Sequence, residues 1–301
     1  MTTLVLGGSK GKTSSRLASL LSENNIPFVL ASRSVSNSCP YPQIHFDWLD
    51  EKTYGEPFKH GEISAVYIVA PPVTDMFPPM KAFIDFAFKE KRVRRFVLLS
   101  ASSLERGGPM MGQAHDYLLK LATEHEGLEY AVLRPTWFMG VSRKSVYIAS
   151  VSLTNGKIPF VSVDDIAAVA SRALVDEKSH DMEHVILGQE LLSYDDGWGY
   201  ILWSFPVFNC NLLTCLFVKV AAILSDVLGR KITHVNLSEE QLAAGIVANG
   251  IPEDYAAILA AMDTAIAHGA ENRLNNTVKK VTGRTPRKFR DFAIEKKQAW
   301  L

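Results

Sequence analysis

Apolar positions in the first half of the chain fall in short continuous runs, separated by stretches with the spacing of one-sided helices. The runs are Leu4 to Leu6, Pro27 to Ala31, Ile44 to Trp48, Ser64 to Val69, Arg94 to Leu99 and Tyr130 to Phe138. Runs of this length, apolar on consecutive positions, suit parallel strands covered on both faces. Between them Leu17, Leu20 and Leu21 mark one helix, and further helices are expected over about 79–90 and 113–125. Strand and helix alternating at this spacing predict an α/β fold, a doubly wound parallel sheet of Rossmann-like type.

The first run stops at Gly7-Gly8-Ser9-Lys10-Gly11-Lys12-Thr13 and a helix follows at once. Strand, glycine turn and helix start together form a pyrophosphate cradle, because glycines let backbone approach phosphate and the first helical turn has free N–H donors. A P-loop also ends in Gly-Lys-Thr, but it needs a glycine at position 6, which is Leu6. A glycine turn without a ligand remains the plain alternative. Ser14 stands where a dinucleotide fingerprint has its third glycine. After the second run comes Ser32-Arg33-Ser34, where an NAD site carries an acidic residue for the ribose hydroxyls. Arg33 between hydroxyls suits a 2′-phosphate instead, so the expected cofactor is NADPH/NADP. Candidate cofactor contacts are Gly7, Gly8, Ser9, Gly11, Lys12, Thr13, Arg33, Asp47 (toward the adenine amino group), Ala70, Pro71, Ser100 and Pro135.

The expected division is an NADP(H)-binding domain at 1–157 and a smaller α/β substrate-binding cap at 158–301. The cap pattern gives helix 164–176, strands at His184–Leu187 and Ile232–Val235, and helices around 238–248, 253–268 and 286–299. The turn Asn249-Gly250-Ile251-Pro252-Glu253 separates two of these. Equal numbers of basic and acidic residues, 32 of each, argue against nucleic acid and anionic membrane as partners. Three cysteines are too few and too scattered for a disulfide framework or zinc site, so no metal is expected. A strand starting near Met1 leaves no room for a basic leader, and a cytoplasmic location is expected.

Several blocks together carry a resemblance. They include Leu4-Val5-Leu6-Gly7-Gly8, Arg95-Phe96-Val97-Leu98-Leu99-Ser100-Ala101-Ser102, Leu133-Arg134-Pro135-Thr136-Trp137-Phe138-Met139 and Leu187-Gly188-Gln189-Glu190-Leu191-Leu192. The chain resembles the NmrA-like branch of the short-chain dehydrogenases, and within it the fungal festuclavine and agroclavine dehydrogenases. The resemblance implies NADPH-dependent reduction of a cyclic iminium in ergot (clavine) alkaloid synthesis. It also implies an indole alkaloid iminium as partner, together with the upstream enzyme that supplies it. NmrA-like proteins that sense NADP without turnover are the alternative.

Three stretches depart from the family pattern. The glycine turn has one extra residue around Ser9-Lys10, the segment 140–155 is altered, and 197–219 has no counterpart. Trp198 to Val218 holds 21 residues without a charge, long enough to cross a bilayer. Pro206, Asn209, Asn211 and the lack of basic flanks speak against a span, and we read the insertion as a translated intron.

Candidates for chemistry are few. Tyr117 and Lys120 are three apart rather than four, so with Ser102 or Ser103 they make at most a distorted proton-transfer triad. His115, Trp137 and Phe138 are the expected substrate-pocket residues, the two aromatics facing a flat cation. Surface pairing for the Tyr and Lys, and core packing for the aromatics, are the plain alternatives.

Overall fold

The structure, a computed structural model, describes residues 2–36, 38–139, 147–151, 156–193 and 220–299. The departures at 140–146, 152–155 and 197–219 lie outside the described residues. The chain forms two compact units, one of Met1–Phe138, Val161–Gly188 and Asn275–Pro286, the other of Met139–Phe160, Gln189–Leu274 and Arg287–Leu301. In chain order the elements begin β1 (Thr2–Leu6), α1 (Lys12–Glu23), β2 (Phe28–Ser32), β3 (Gln43–His45), β4 (Ile63–Val69), α2 (Phe77–Asp85), β5 (Arg95–Leu99), α3 (Met111–Glu124) and β6 (Glu129–Pro135). They continue with β7 (Tyr147–Val151), α4 (Val163–Val175), β8 (Met182–Ile186), α5 (Val220–Leu228), β9 (Thr233–Leu237), α6 (Glu239–Ala248), α7 (Glu253–Ala267), α8 (Thr277–Thr282) and α9 (Phe289–Lys296).

The first unit carries a seven-stranded sheet in the order β3-β2-β1-β4-β5-β6-β8, every pairing parallel. Strand order reverses between β1 and β4, which opens a crevice at their carboxyl ends. Alternate side chains serve opposite faces. Val5, Leu30, Tyr67, Val97 and Leu133 join Leu17 and Leu21 of α1 and Ile166, Val169 and Ala170 of α4 in one core. That placement differs from the expected cap helix at 164–176. Ile166, Ala167, Val169 and Ala170 are all fully buried, and α4 packs beside α1 because so wide an apolar face needs a sheet to cover it.

A second cluster is aromatic. The Phe83 ring lies 5.0 Å from Phe46, 5.4 Å from Trp48 and 5.3 Å from Tyr54, all edge to face. This explains why β3 stops at His45 instead of running to Trp48: Phe46 and Trp48 leave the strand to pack on Phe83. Helix α2 starts at Phe77, two residues before the expected boundary. Pro78 and Pro79 occupy its first turn, where a missing N–H costs nothing. Phe83→Ala is expected to cost about 3–5 kcal/mol in urea unfolding, the range for emptying a well-packed aromatic site. A loss below ~1 kcal/mol would show that the cluster is not core.

Near the start of β8, His184 Nε2 lies 2.8 Å from His180 Nδ1, and His180 Nε2 lies 3.1 Å from an Asp176 carboxylate oxygen. Burial, and then the facing His180, push the His184 pKa from its ordinary 6.5 down to about 4. The unfolded chain therefore binds more protons between those values. The stability His184 contributes is complete above pH 6.5 and is lost as pH falls toward 4. His184→Gln should flatten the melting-temperature profile across that window, and an unchanged slope would contradict the assignment.

The second unit pairs β7 with β9 in parallel, Ile148 opposite His234. Ser238 and Gln241 form a capping box at the start of α6, which packs on α7. Phe289 is buried against Phe160 and Phe292. Expected helix 286–299 is helical only over Phe289–Lys296, with a short 3-10 turn after it.

Candidate functional site

The turn after β1 is left-handed at both Gly7 (φ +97°) and Gly8 (φ +64°). At Gly8 a side chain is excluded twice over, since an added Cβ would sit 2.6 Å from Ser32 Cβ. Ser14 resolves the missing third glycine: it is fully buried, and its hydroxyl donates to the Leu6 carbonyl at 2.7 Å. Helix α1 then begins at Lys12 with no side-chain cap and no acidic residue in its first turn. Its leading amides have no intrahelical acceptor, so the turn and the helix dipole together favour an anion.

Beside the turn, at the carboxyl end of β2, lies a cavity of about 260 Å³. Lys10, Ser32, Arg33 and Ser34 supply its polar wall, and Phe46, Trp48, Val69, Ala70 and Pro72 its apolar one. The lining has two cations and no carboxylate. His45 Nδ1 lies 3.1 Å from the Arg33 carbonyl oxygen, and Ser32 Oγ donates to the Ser34 carbonyl at 2.8 Å, so backbone contacts fix this edge. A flat heteroaromatic ring against the apolar wall and a phosphate against Lys10 and Arg33 fit this chemistry.

Of the expected cofactor residues, Gly7, Arg33 and Ala70 line the cavity, and Gly8, Gly11 and Lys12 belong to the adjoining turn and helix start. Ser9 donates to Gln43 Oε1 at 3.0 Å, tying the turn to β3. The Thr13 side chain is buried and accepts from the Tyr67 hydroxyl at 3.1 Å, so only its backbone is offered to a ligand. Burial pushes the Tyr67 hydroxyl pKa up, so Tyr67 stays a donor. Asp47 is outside the cavity lining, and its Oδ1 accepts from the Leu49 amide at 3.0 Å, the turn-forming role. Pro71 is buried, and Pro135 lies within β6, where its carbonyl accepts from the Ser102 amide. Ser100 is buried, with its hydroxyl unpartnered among the described residues.

The chemistry candidates are not brought together. The Tyr117 hydroxyl donates to Asp85 Oδ1 at 2.6 Å, and Lys81 sits over the Tyr117 ring. Burial would raise the Asp85 carboxyl, but hydrogen bonds from Lys81, Tyr117 and Lys89 hold its pKa at about 2. Burial and the Asp85 charge push Tyr117 up, away from proton transfer. Lys120 forms an exposed pair with Asp116 at 2.6 Å. His115 is 4% exposed, with Nε2 3.8 Å from Glu183 and Nδ1 unpartnered among the described residues. Burial lowers its pKa, which Glu183 opposes and Arg134 reinforces, and the ring is neutral near pH 7. Phe138 bridges to Val161 and packs against the α4 core, while Trp137 is half-buried beyond the end of β6. Lys10 is the residue that sequence reasoning omits; the extra turn residue is its signal.

Sheet order, switch point and glycine turn define a Rossmann-type α/β fold, with a two-cation cavity beside the turn. Solved structures share the fold: triphenylmethane reductase of Citrobacter sp., complexed with NADP(H), matches with a TM-score of 0.71 at 17% identity, over 98% of this chain and 99% of that one. The NADPH-dependent quinone oxidoreductase of Escherichia coli, complexed with NADPH, matches with a TM-score of 0.72 at 18% identity over the same shares. No family model matches the chain. Full-length relatives are more specific: the chain is 46% identical to festuclavine synthase II of Penicillium roqueforti, over 100% of both chains. It is 42% identical to agroclavine dehydrogenase of Claviceps fusiformis, over 100% of this chain and 99% of that one. The chain belongs to the festuclavine and agroclavine dehydrogenase family.

Among the described residues no helix is long and apolar enough to cross a membrane, and no group of His, Cys, Asp or Glu is arranged to hold a metal.

Proposed function

We propose that this protein is an NADPH-dependent reductase of a cyclic clavine iminium, giving festuclavine or agroclavine. One observation carries the choice of cofactor: Lys10 and Arg33 share a cavity that contains no carboxylate. An NAD site needs an acceptor for the ribose 2′-hydroxyl at that place, whereas two cations suit a 2′-phosphate. The Gly7-Gly8 turn and the leading amides of α1 take the pyrophosphate, Thr13 through its backbone alone. The apolar wall at Trp48 and Ala70 takes the adenine. The names of the relatives support the alkaloid substrate. A cytosolic location and delivery by an upstream enzyme belong to the same reading.

Bound there, NADPH supplies a hydride. The iminium carbon is already electrophilic: accepting hydride returns the C=N pair to nitrogen and gives a neutral amine. No oxyanion forms and no residue has to donate a proton. That agrees with Tyr117 held by Asp85, Lys120 held by Asp116 and a neutral, buried His115. What the chain supplies is orientation and exclusion of water. Trp137 offers an aromatic face to the indole cation, a contact of about 1 kcal/mol. Purified protein given NADPH and a clavine iminium should consume the two in equal amounts and release the tertiary amine. Tight NADPH binding without consumption would support the sensor reading instead.

A further inference from the structure

Arg134 stands in the apolar run of β6, yet its side chain is only 4% exposed. Nη1 donates to Glu183 on β8 at 2.8 Å. Nη2 donates to the Ser102 carbonyl at 3.0 Å and to Glu105 Oε1 at 2.7 Å, and Nε reaches the Ala101 carbonyl at 3.4 Å. One guanidinium thus ties β6 and β8 to three anchor points on the loop that leaves β5. Its five donors in a rigid fork are what such a multipoint grip needs.

The loop is held from its far side as well. The Gly108 amide donates to the Glu105 carbonyl at 3.0 Å, and the Gly107 amide donates to the Gly112 carbonyl at 2.8 Å. Gly112, in the first turn of α3, lies so close to the Glu105 carbonyl oxygen that a Cβ there would overlap it. Glu105 is therefore fixed through its side chain by Arg134 and through its backbone by the start of α3. The loop leaves the carboxyl end of β5, on the edge of the sheet where open α/β folds bind their ligands. The Glu105 side chain is 77% exposed, and the buried guanidinium of Arg134 is its ion-pair partner.

We propose that Arg134 is a positioning residue for hydride transfer. It clamps the 101–105 loop so that the wall of the crevice beyond β5 keeps the geometry the dihydronicotinamide requires. The inference rests on the NADPH reading of the site and deepens it. It locates the control of turnover about the β5–β6 edge, apart from the phosphate grip at Lys10 and Arg33. Nothing in Arg134 touches the reacting atoms; it acts through the loop.

Three variants test this on the full-length protein: Arg134→Lys, Arg134→Met and Glu105→Gln. Arg134→Lys keeps the charge and loses the fork, and turnover should fall about 10²-fold, the loss that ~1 Å misplacement of reacting groups produces. Glu105→Gln keeps the buried arginine paired with Glu183, so it folds normally, and should lower turnover by a smaller factor. In both, KM for NADPH and the dissociation constant of adenosine 2′,5′-bisphosphate should stay within about twofold. A primary isotope effect with deuterated NADPH should rise as hydride transfer becomes limiting. Arg134→Met, should it fold, must lose at least as much turnover as Arg134→Lys. Unchanged turnover in folded Arg134→Lys and Glu105→Gln overturns the proposal. So does a fall in turnover matched by an equal loss of bisphosphate affinity, which would mark a general structural role. If the wild type consumes no NADPH at all, the functional reading fails. The proposal, which rests on that reading, then falls with it.

Discussion

Replacing both cavity cations, Lys10→Ala with Arg33→Ala, is expected to weaken NADPH binding by about 10²–10³-fold while leaving NADH within about twofold. Hydrogen bonds to charged groups contribute ~1.5–3 kcal/mol each, so each cation alone should account for about 10-fold or more. Among the described residues neither has an anionic partner, so removing them exposes no orphaned carboxylate and should leave the melting temperature nearly unchanged. The asymmetry between nucleotides is the diagnostic part. A phosphate clamp distinguishes the 2′-phosphate from the 2′-hydroxyl, whereas a diffuse positive surface would weaken both nucleotides together. Equal losses for NADPH and NADH, read by fluorescence titration, would show that the cavity is not the 2′-phosphate site.

The second large effect is expected at Gly8→Ala. A left-handed φ of +64° costs an L-residue roughly 1 kcal/mol by itself. Steric overlap costs more: the new Cβ would meet Ser32 Cβ at 2.6 Å, and Ser32 is anchored at the end of β2. Relief requires β1 and β2 to part at the mouth of the cradle, next to the leading amides of α1. We expect NADPH binding to be abolished, with stability lowered by about 2–4 kcal/mol in urea unfolding. Ser32→Gly in the same protein should recover much of the stability, because it removes the overlapping atoms. Failure of that rescue would mean the turn is intolerant for some other reason.

Much of the fold, and the position of the glycine turn, is legible in the sequence. Parallel strands covered on both faces must read as continuous apolar runs, so β1, β4, β5 and β6 stand out, and the paired glycines mark the turn between β1 and α1. What periodicity cannot give is the direction of a side chain in an irregular turn. Lys10, the added residue, therefore escapes notice, although it lines the cavity with Arg33. Asp47 has the residue type for adenine recognition, but a carboxylate two residues before a free amide closes its own turn first. Tyr117 and Lys120 share a helical face, yet each has a nearer acid, Asp85 and Asp116, and pairs there. Arg134 reads as an interruption in a strand; its partners lie 29 and 49 positions away at Glu105 and Glu183, beyond any local pattern. Chain order alone puts helix α4 in the cap, while its wide apolar face requires the first sheet.

The proposed choice of NADPH rests on a single recognition event at the end of β2, and wild-type protein alone tests it. Calorimetric titration with adenosine 2′,5′-bisphosphate and with adenosine 5′-monophosphate isolates the 2′-phosphate from the rest of the cofactor. Recognition by Lys10 and Arg33 predicts that the bisphosphate binds about 10²-fold more tightly, an advantage that shrinks as salt is raised. Equal affinities for the two would contradict it.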